Sequence, residues 1–140
     1  MIRIEVTSVL VDDQEEALQF YTKVLGFEKK TDLPVGDARW LTVVSPEDPD
    51  GVEVLLEPDN NPNVQINGEP AAQVYKRALY DAGVPATSFS SDDIDADFER
   101  MSNLGAVFEM EPTEMEGVTI AIFDDTCGNL IQLHQVHDDD

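Results

Sequence analysis

The sequence predicts an α+β fold built from two βαβββ modules in one chain, and three observations carry that expectation. Each half of the 140 residues runs in the order strand, helix, strand, strand, strand. The stretch VDDQEEALQFYTKVLGFE lies over SDDIDADFERMSNLGAVFE within one gap, which sets Asp13 over Asp93 and Gly26 over Gly105. Apolar residues recur at strand and helix spacings while the acidic residues fall between them, as in elements that share a core and keep a solvated surface.

Module one is expected over about residues 1–58. Its opening segment, IRIEVTSVLV, alternates Ile4, Val6, Ser8 and Leu10 on one face with Arg3, Glu5, Thr7 and Val9 on the other, as a strand does. Asp13 stands where an N-cap accepts backbone N–H groups, with Glu16 behind it, and Ala17, Leu18, Tyr21, Val24 and Leu25 follow at helical spacing. Gly26 ends that helix. GFEKKTDL, ARWLTVVS and GVEVLLE are the next strands, with PVGD and PEDPDG as turns. Over about 59–83, DNNPNVQINGEP is turn-rich and AAQVYKRALYDAG reads as a helix closed by Gly83; Lys76 and Arg77 on it could form an anion hook. Module two, about 84–137, repeats the order. VPATSFS is a strand, DDIDADFERMSNLG a helix burying Ile94, Phe98, Met101 and Leu104, and AVFEMEP, GVTIAIFD and NLIQLHQ are strands. An acidic tail occupies 138–140.

Thirty acidic residues against eight basic ones give a formal net charge of −22. Such a surplus repels phosphate, so neither nucleic acid nor an anionic membrane is expected as a partner. It also points to adaptation to high salt, where counterions screen self-repulsion. One cysteine allows no internal disulfide and no cysteine-rich zinc cluster, and nothing argues for an oxidising compartment. No stretch approaches the roughly 20 apolar residues that span a bilayer, and MIRIEVTSVLVDDQEE lacks the apolar core of a secretory signal. The expectation is a soluble, cytoplasmic protein.

FYxxVLGFE in the first helix, together with FDDTCGNLIQL leading into the last strand, resembles the vicinal oxygen chelate superfamily over nearly the whole chain. That group includes glyoxalase I, the bleomycin and fosfomycin resistance proteins, methylmalonyl-CoA epimerase and the extradiol dioxygenases. The resemblance implies curved mixed sheets around a cavity, commonly at a homodimer interface. In metal-dependent members it also implies one ligand from the first and one from the last strand of each module, usually His, Gln or Glu, around a divalent ion.

Carried over position by position, these ligand sites fall on Val6, Val54, Ala86 and Gln132. Three of these side chains cannot bind a metal and the fourth is a neutral amide, which does not hold a divalent ion against water. No metal and no other cofactor is therefore expected. The assignment depends on strand register, because a slip of one residue turns the opposite face inward. Glu53 or Glu57 would then reach the cavity from the fourth strand, Thr7 or Glu5 from the first, and Thr87 from the first strand of module two.

Four residues are candidates for ligand contact. Gln132 could orient a ligand carbonyl or hydroxyl, and His134, on the same face by alternation, could exchange a proton near neutrality. Trp40, the only tryptophan, could stack on a flat ligand. Glu114, in an EPTEMEG segment expected to connect two strands at the cavity mouth, could serve as a base if desolvated. Against these stand ordinary packing and solvated-surface roles. Cys127 lies beside Asp124 and Asp125, which oppose thiolate formation, and is expected to be a structural turn residue. The functional expectation is metal-independent binding of a small organic molecule, most simply by sequestration in a homodimer. The alternatives are a lyase or isomerase of glyoxalase I type and a dimeric scaffold with a vestigial cavity.

Overall fold

A computed structural model of the chain describes residues 1–137, so the acidic tail at 138–140 lies outside the described residues. Module one begins with strand β1 (Val6–Val11), and residues 1–5 ahead of it are not part of the strand. Asp13 then caps helix α1 (Gln14–Lys23), its Oδ1 accepting the Glu16 N–H at 2.9 Å. Strands β2 (Glu28–Val35), β3 (Ala38–Val44) and β4 (Glu53–Pro58) complete the module. The sheet order is β1-β4-β3-β2, with β1 and β4 parallel and the remaining pairs antiparallel.

The connecting segment holds more than the expected helix. A short antiparallel pair, β5 (Gln65–Ile66) and β6 (Glu69–Pro70), precedes helix α2 (Ala71–Asp81). Asn67 and Gly68 turn between the two strands with positive φ, the conformation an Asn-Gly pair supplies.

Module two is built in the same way from β7 (Thr87–Ser90), α3 (Ile94–Asn103), β8 (Val107–Met115), β9 (Val118–Asp124) and β10 (Leu130–Val136). Its sheet order, β7-β10-β9-β8, repeats that of module one, with β7 and β10 parallel. The repeat extends to the caps. Asp93 Oδ1 accepts the Ala96 N–H at 3.1 Å, and Gly26 and Gly105 leave their helices at φ 92° and 97°.

A single apolar core joins the modules. Val9, Val11, Leu41, Val43, Val54 and Leu56 of the first sheet pack with Ala121, Phe123, Ile131 and Leu133 of the second around α1 and α3. Phe20 of α1 stacks on Phe123 with ring centroids 5.9 Å apart, a contact across the modules. Ala17, Leu18 and Tyr21 of α1 are buried as expected and Val24 and Leu25 pack against the core, while Phe20 widens this apolar face. On α3, Ile94 and Met101 are buried as expected, whereas Leu104 is exposed and Phe98 packs edge-on against Phe108.

Side chains alternate across a strand, so a sheet with one face on the helices must carry its other residues on the opposite face. In module one that second face carries Val6, Ser8 and Leu10 beside their β4 register partners Glu53, Leu55 and Glu57. Trp40 and Thr42 of β3 and Leu33 of β2 continue it. In module two the second face carries Ser88, Gln132, His134, Ile120 and Ile122. The centre of the first such face is covered by its own side chains, Thr42 and Leu55 being buried, while Val6, Leu33 and Trp40 are exposed at its rim.

Candidate functional site

Register decides which residues the open faces offer. Val6 belongs to the open face of module one, but Val54 does not. Val54 pairs with Thr7 and packs in the core, and the β4 residue beside Val6 is Glu53. The placement of Val54 at the cavity is therefore corrected: of the two registers weighed for β4, the one with Glu53 and Glu57 on the open face is observed. Glu53 is held there, its Oε1 accepting the Thr42 hydroxyl at 2.6 Å. Thr7 and Thr87, the residues a slipped register would offer, line a cleft of about 280 Å³ with Phe27, Val43, Val54 and Phe89 between the edges of the two sheets.

In module two the residue beside Gln132 is Ser88, not Ala86. Ala86 precedes β7 and donates its N–H to the Leu130 carbonyl at 2.8 Å. Counting back from the Asp12-Asp13 and Asp92-Asp93 pairs matches Ser8 to Ser88, and these serines stand beside Leu55 and Gln132 on the open faces. Val6 keeps its place on the open face, and the residue two further along each strand, Ser8 or Ser88, is the one level with Leu55 or Gln132.

The structure brings Gln132 and His134 together through Ser88. Gln132 Nε2 donates to Ser88 Oγ at 3.1 Å, and the same oxygen lies 2.6 Å from His134 Nδ1. Ile131 and Leu133, which alternate with this pair along β10, are in the core, so the amide and the imidazole both stand on the open face. All three polar residues are half-buried. Beside them Leu130, Ile122 and Met110 line a recess of about 340 Å³ together with Tyr80 and Asp81 at the end of α2.

Trp40 lies on the open face of module one, 43% exposed, opposite Leu33 and away from the Gln132 cluster. Glu114 is not in a loop. β8 runs on to Met115, so the turn is only Glu116 and Gly117, and bulges along β8 pair Glu114 with Thr119. Thr119 pairs in turn with Gln135, whereas Gln132 and His134 pair with Ile122 and Ile120. Glu114 therefore belongs to the opposite set of side chains from the cluster.

The turn before β10 is a structural joint. Asp125 is fully buried and accepts the Tyr21 hydroxyl at 2.6 Å, the Cys127 N–H at 2.8 Å and the Asn129 N–H at 3.0 Å. Asn129 Nδ2 donates back to Asp125 at 2.9 Å and across to the Leu10 carbonyl at 2.7 Å, tying module two to β1. Burial raises the Asp125 carboxyl above its ordinary range against the pull of these donors. Burial, with Asp125 next, also pushes the Cys127 thiol up to about 12, so Cys127 is a thiol and not a nucleophile at neutral pH.

Lys76 and Arg77 do not form an anion hook. Lys76 is buried, with Nζ 2.6 Å from Asp59 Oδ2 and donating to the Cys127 carbonyl at 2.7 Å. A Cβ on Gly128 would meet the end of this lysine side chain at 2.9 Å. Arg77 pairs with Glu69 at 3.1 Å on the surface.

The donors around Gln132 do not fit a divalent ion. Its neighbours in register are Ser88 and Ile122, and the Nδ1 of the one nearby imidazole is engaged by Ser88. Among the described residues no three or more His, Cys, Asp or Glu side chains come together as a metal site would require.

Two βαβββ modules that share one core and leave a partly polar sheet face open on each side define a paired-module α+β protein. The chain belongs to the Glyoxalase/Bleomycin resistance protein/Dioxygenase superfamily, whose family model matches residues 3–133. It is 51% identical to the uncharacterized protein YurT of Bacillus subtilis (strain 168), over 96% of this chain and 99% of that one. The crystal structure of UcmS2 superimposes with a TM-score of 0.81 at 29% identity, covering 96% of this chain and 98% of that one. The crystal structure of TnmS3, an antibiotic binding protein from Streptomyces sp. CB03234, superimposes with a TM-score of 0.73 at 26% identity, covering 97% of each chain. No helix is long and apolar enough to cross a membrane among the described residues.

Proposed function

We propose that the protein binds a small organic molecule without a metal ion, using the open face of module two as the polar wall of its site. The observation that carries this reading is the Gln132–Ser88–His134 cluster. Three half-buried polar side chains are held by one another beside Ile120 and Ile122, an arrangement that orients a ligand by a few directed hydrogen bonds. The lack of a converging donor set around Gln132 supports the metal-free form, and the likeness to TnmS3, an antibiotic binding protein, supports binding as the activity.

One chain leaves its open faces uncovered, and Val6, Leu33, Val35 and Trp40 are exposed on module one. A second copy of the chain, presenting its module-one face to the module-two face of the first, would cover this apolar rim and close a cavity with Trp40 opposite the polar cluster. Glu53 also faces that space, and it gives the alternative reading, a lyase or isomerase, its carboxylate.

Mass spectrometry of small molecules that co-purify with the protein from its native host, paired with elemental analysis of the same sample, separates these readings. An organic molecule retained with less than stoichiometric metal is expected. A tightly held divalent ion at one per chain would overturn the metal-free reading.

A further inference from the structure

We infer that Ser88 is a positioning residue that sets the hydrogen-bonding polarity of the module-two wall, so that His134 offers an Nε2–H donor and Gln132 a carbonyl acceptor to whatever occupies the open face. This deepens the binding reading and rests on it for its use, although the hydrogen-bond chain itself exists without a ligand.

The inference follows from the number of protons available. A serine hydroxyl has one proton to give and two lone pairs to receive with. Gln132 Nε2, 3.1 Å from Ser88 Oγ, can only donate, so it fills a lone pair and leaves the hydroxyl proton free. The other partner of that oxygen is His134 Nδ1 at 2.6 Å, which must then accept the proton. A neutral imidazole that accepts at Nδ1 carries its own hydrogen on Nε2. The Gln132 amide, with one of its two N–H donors on Ser88, is left with Oε1 unengaged. With the Gln132 amide in this orientation, the one hydroxyl fixes the tautomer of His134.

The relay belongs to module two alone. At the matching place in module one, Ser8 stands beside Leu55, which can neither donate to it nor pass on a polarity. The wall thus complements a neutral ligand edge on which a carbonyl or ether oxygen, to meet His134, lies near a hydroxyl or N–H, to meet Gln132.

The test reads the tautomer directly. Long-range nitrogen–proton correlation spectra of protein labelled with nitrogen-15 histidine are recorded at pH 8, where an ordinary imidazole is neutral. The chain has only two histidines, and a His137→Gln variant assigns them. The wild type should show His134 with a protonated Nε2 and a bare Nδ1. Ser88→Thr, which keeps the hydroxyl, should preserve that pattern, and Ser88→Ala should give averaged shifts of the two tautomers.

Gln132→Glu is the sharper variant. A carboxylate cannot donate to Ser88, so it takes the hydroxyl proton, and Ser88 must then accept from a protonated Nδ1, which inverts the tautomer. A serine that merely clasps β7 to β10 would leave the tautomer unchanged in Gln132→Glu and Ser88→Ala alike. That result, or a protonated Nδ1 in the wild type, overturns the inference. Because no ligand is present, failure here is distinct from failure to find a bound small molecule.

Discussion

Lys76 and Asp59 show how strongly single side chains bind the connecting segment to the last-strand turn. Both are buried, 2.6 Å apart, and Lys76 also donates to the Cys127 carbonyl, so the helix α2 is latched to the loop that orients β10. Removing one partner of a buried pair strands the other charge in a low-dielectric site, at a cost of about 3–5 kcal/mol. Lys76→Met should lower stability by that amount in urea unfolding, while the double variant Lys76→Met/Asp59→Leu should recover most of it. Equal loss in the single and double variants would mean that the contact to the Cys127 carbonyl, and not the charge pair, carries the latch. Cys127 itself drew attention as the only thiol, and its environment gives it the opposite of a reactive role. Burial and Asp125 hold it protonated.

Among the elements, β4 decides what the site is made of, because a one-residue slip exchanges Val54 for Glu53 on the open face. The observed register makes a two-sided prediction. Val54→Asp should unfold the protein or cost several kcal/mol by burying an unpaired carboxylate, whereas Glu57→Gln, on the open face, should shift the melting temperature little. The reverse ranking would mean that β4 carries the other register.

The same strand marks the limit of what sequence could reveal. The order of elements, the aspartate caps and the glycine exits were legible because each depends on local chemistry that repeats in both halves. The face of β4 was not, since VEVLLEP is apolar at Val54, Leu55 and Leu56 in succession and offers no alternation to choose between faces. Ser88 was missed for a related reason. A serine in VPATSFS is unremarkable until pairing with β10 sets it between Gln132 and His134, a contact 44 and 46 residues distant along the chain. Glu114 was misplaced because EPTEMEG, with its proline and glycine, resembles a loop, while the structure carries the proline through bulged strand.

For the whole molecule, a net charge of −22 on 140 residues sets the conditions under which the fold is stable. Like charges this dense repel across the surface, and salt screens them within about 10 Å at 0.1 M. The thermal midpoint should therefore rise steadily with KCl into the molar range, and a midpoint that is flat or falling would remove the proposed adaptation to high salt.

We propose that the superfamily cavity operates in this protein on hydrogen bonds and stacking, without a metal. Trp40 is the only tryptophan and stands on an open face, so its fluorescence reports occupancy of that space. Titration of chelator-treated protein with a panel of neutral aromatic compounds should give saturable quenching by at least one of them, unchanged when divalent ions are restored and weakened in Gln132→Leu. Quenching that develops only after a divalent ion is added back, and vanishes again with chelator, would contradict it.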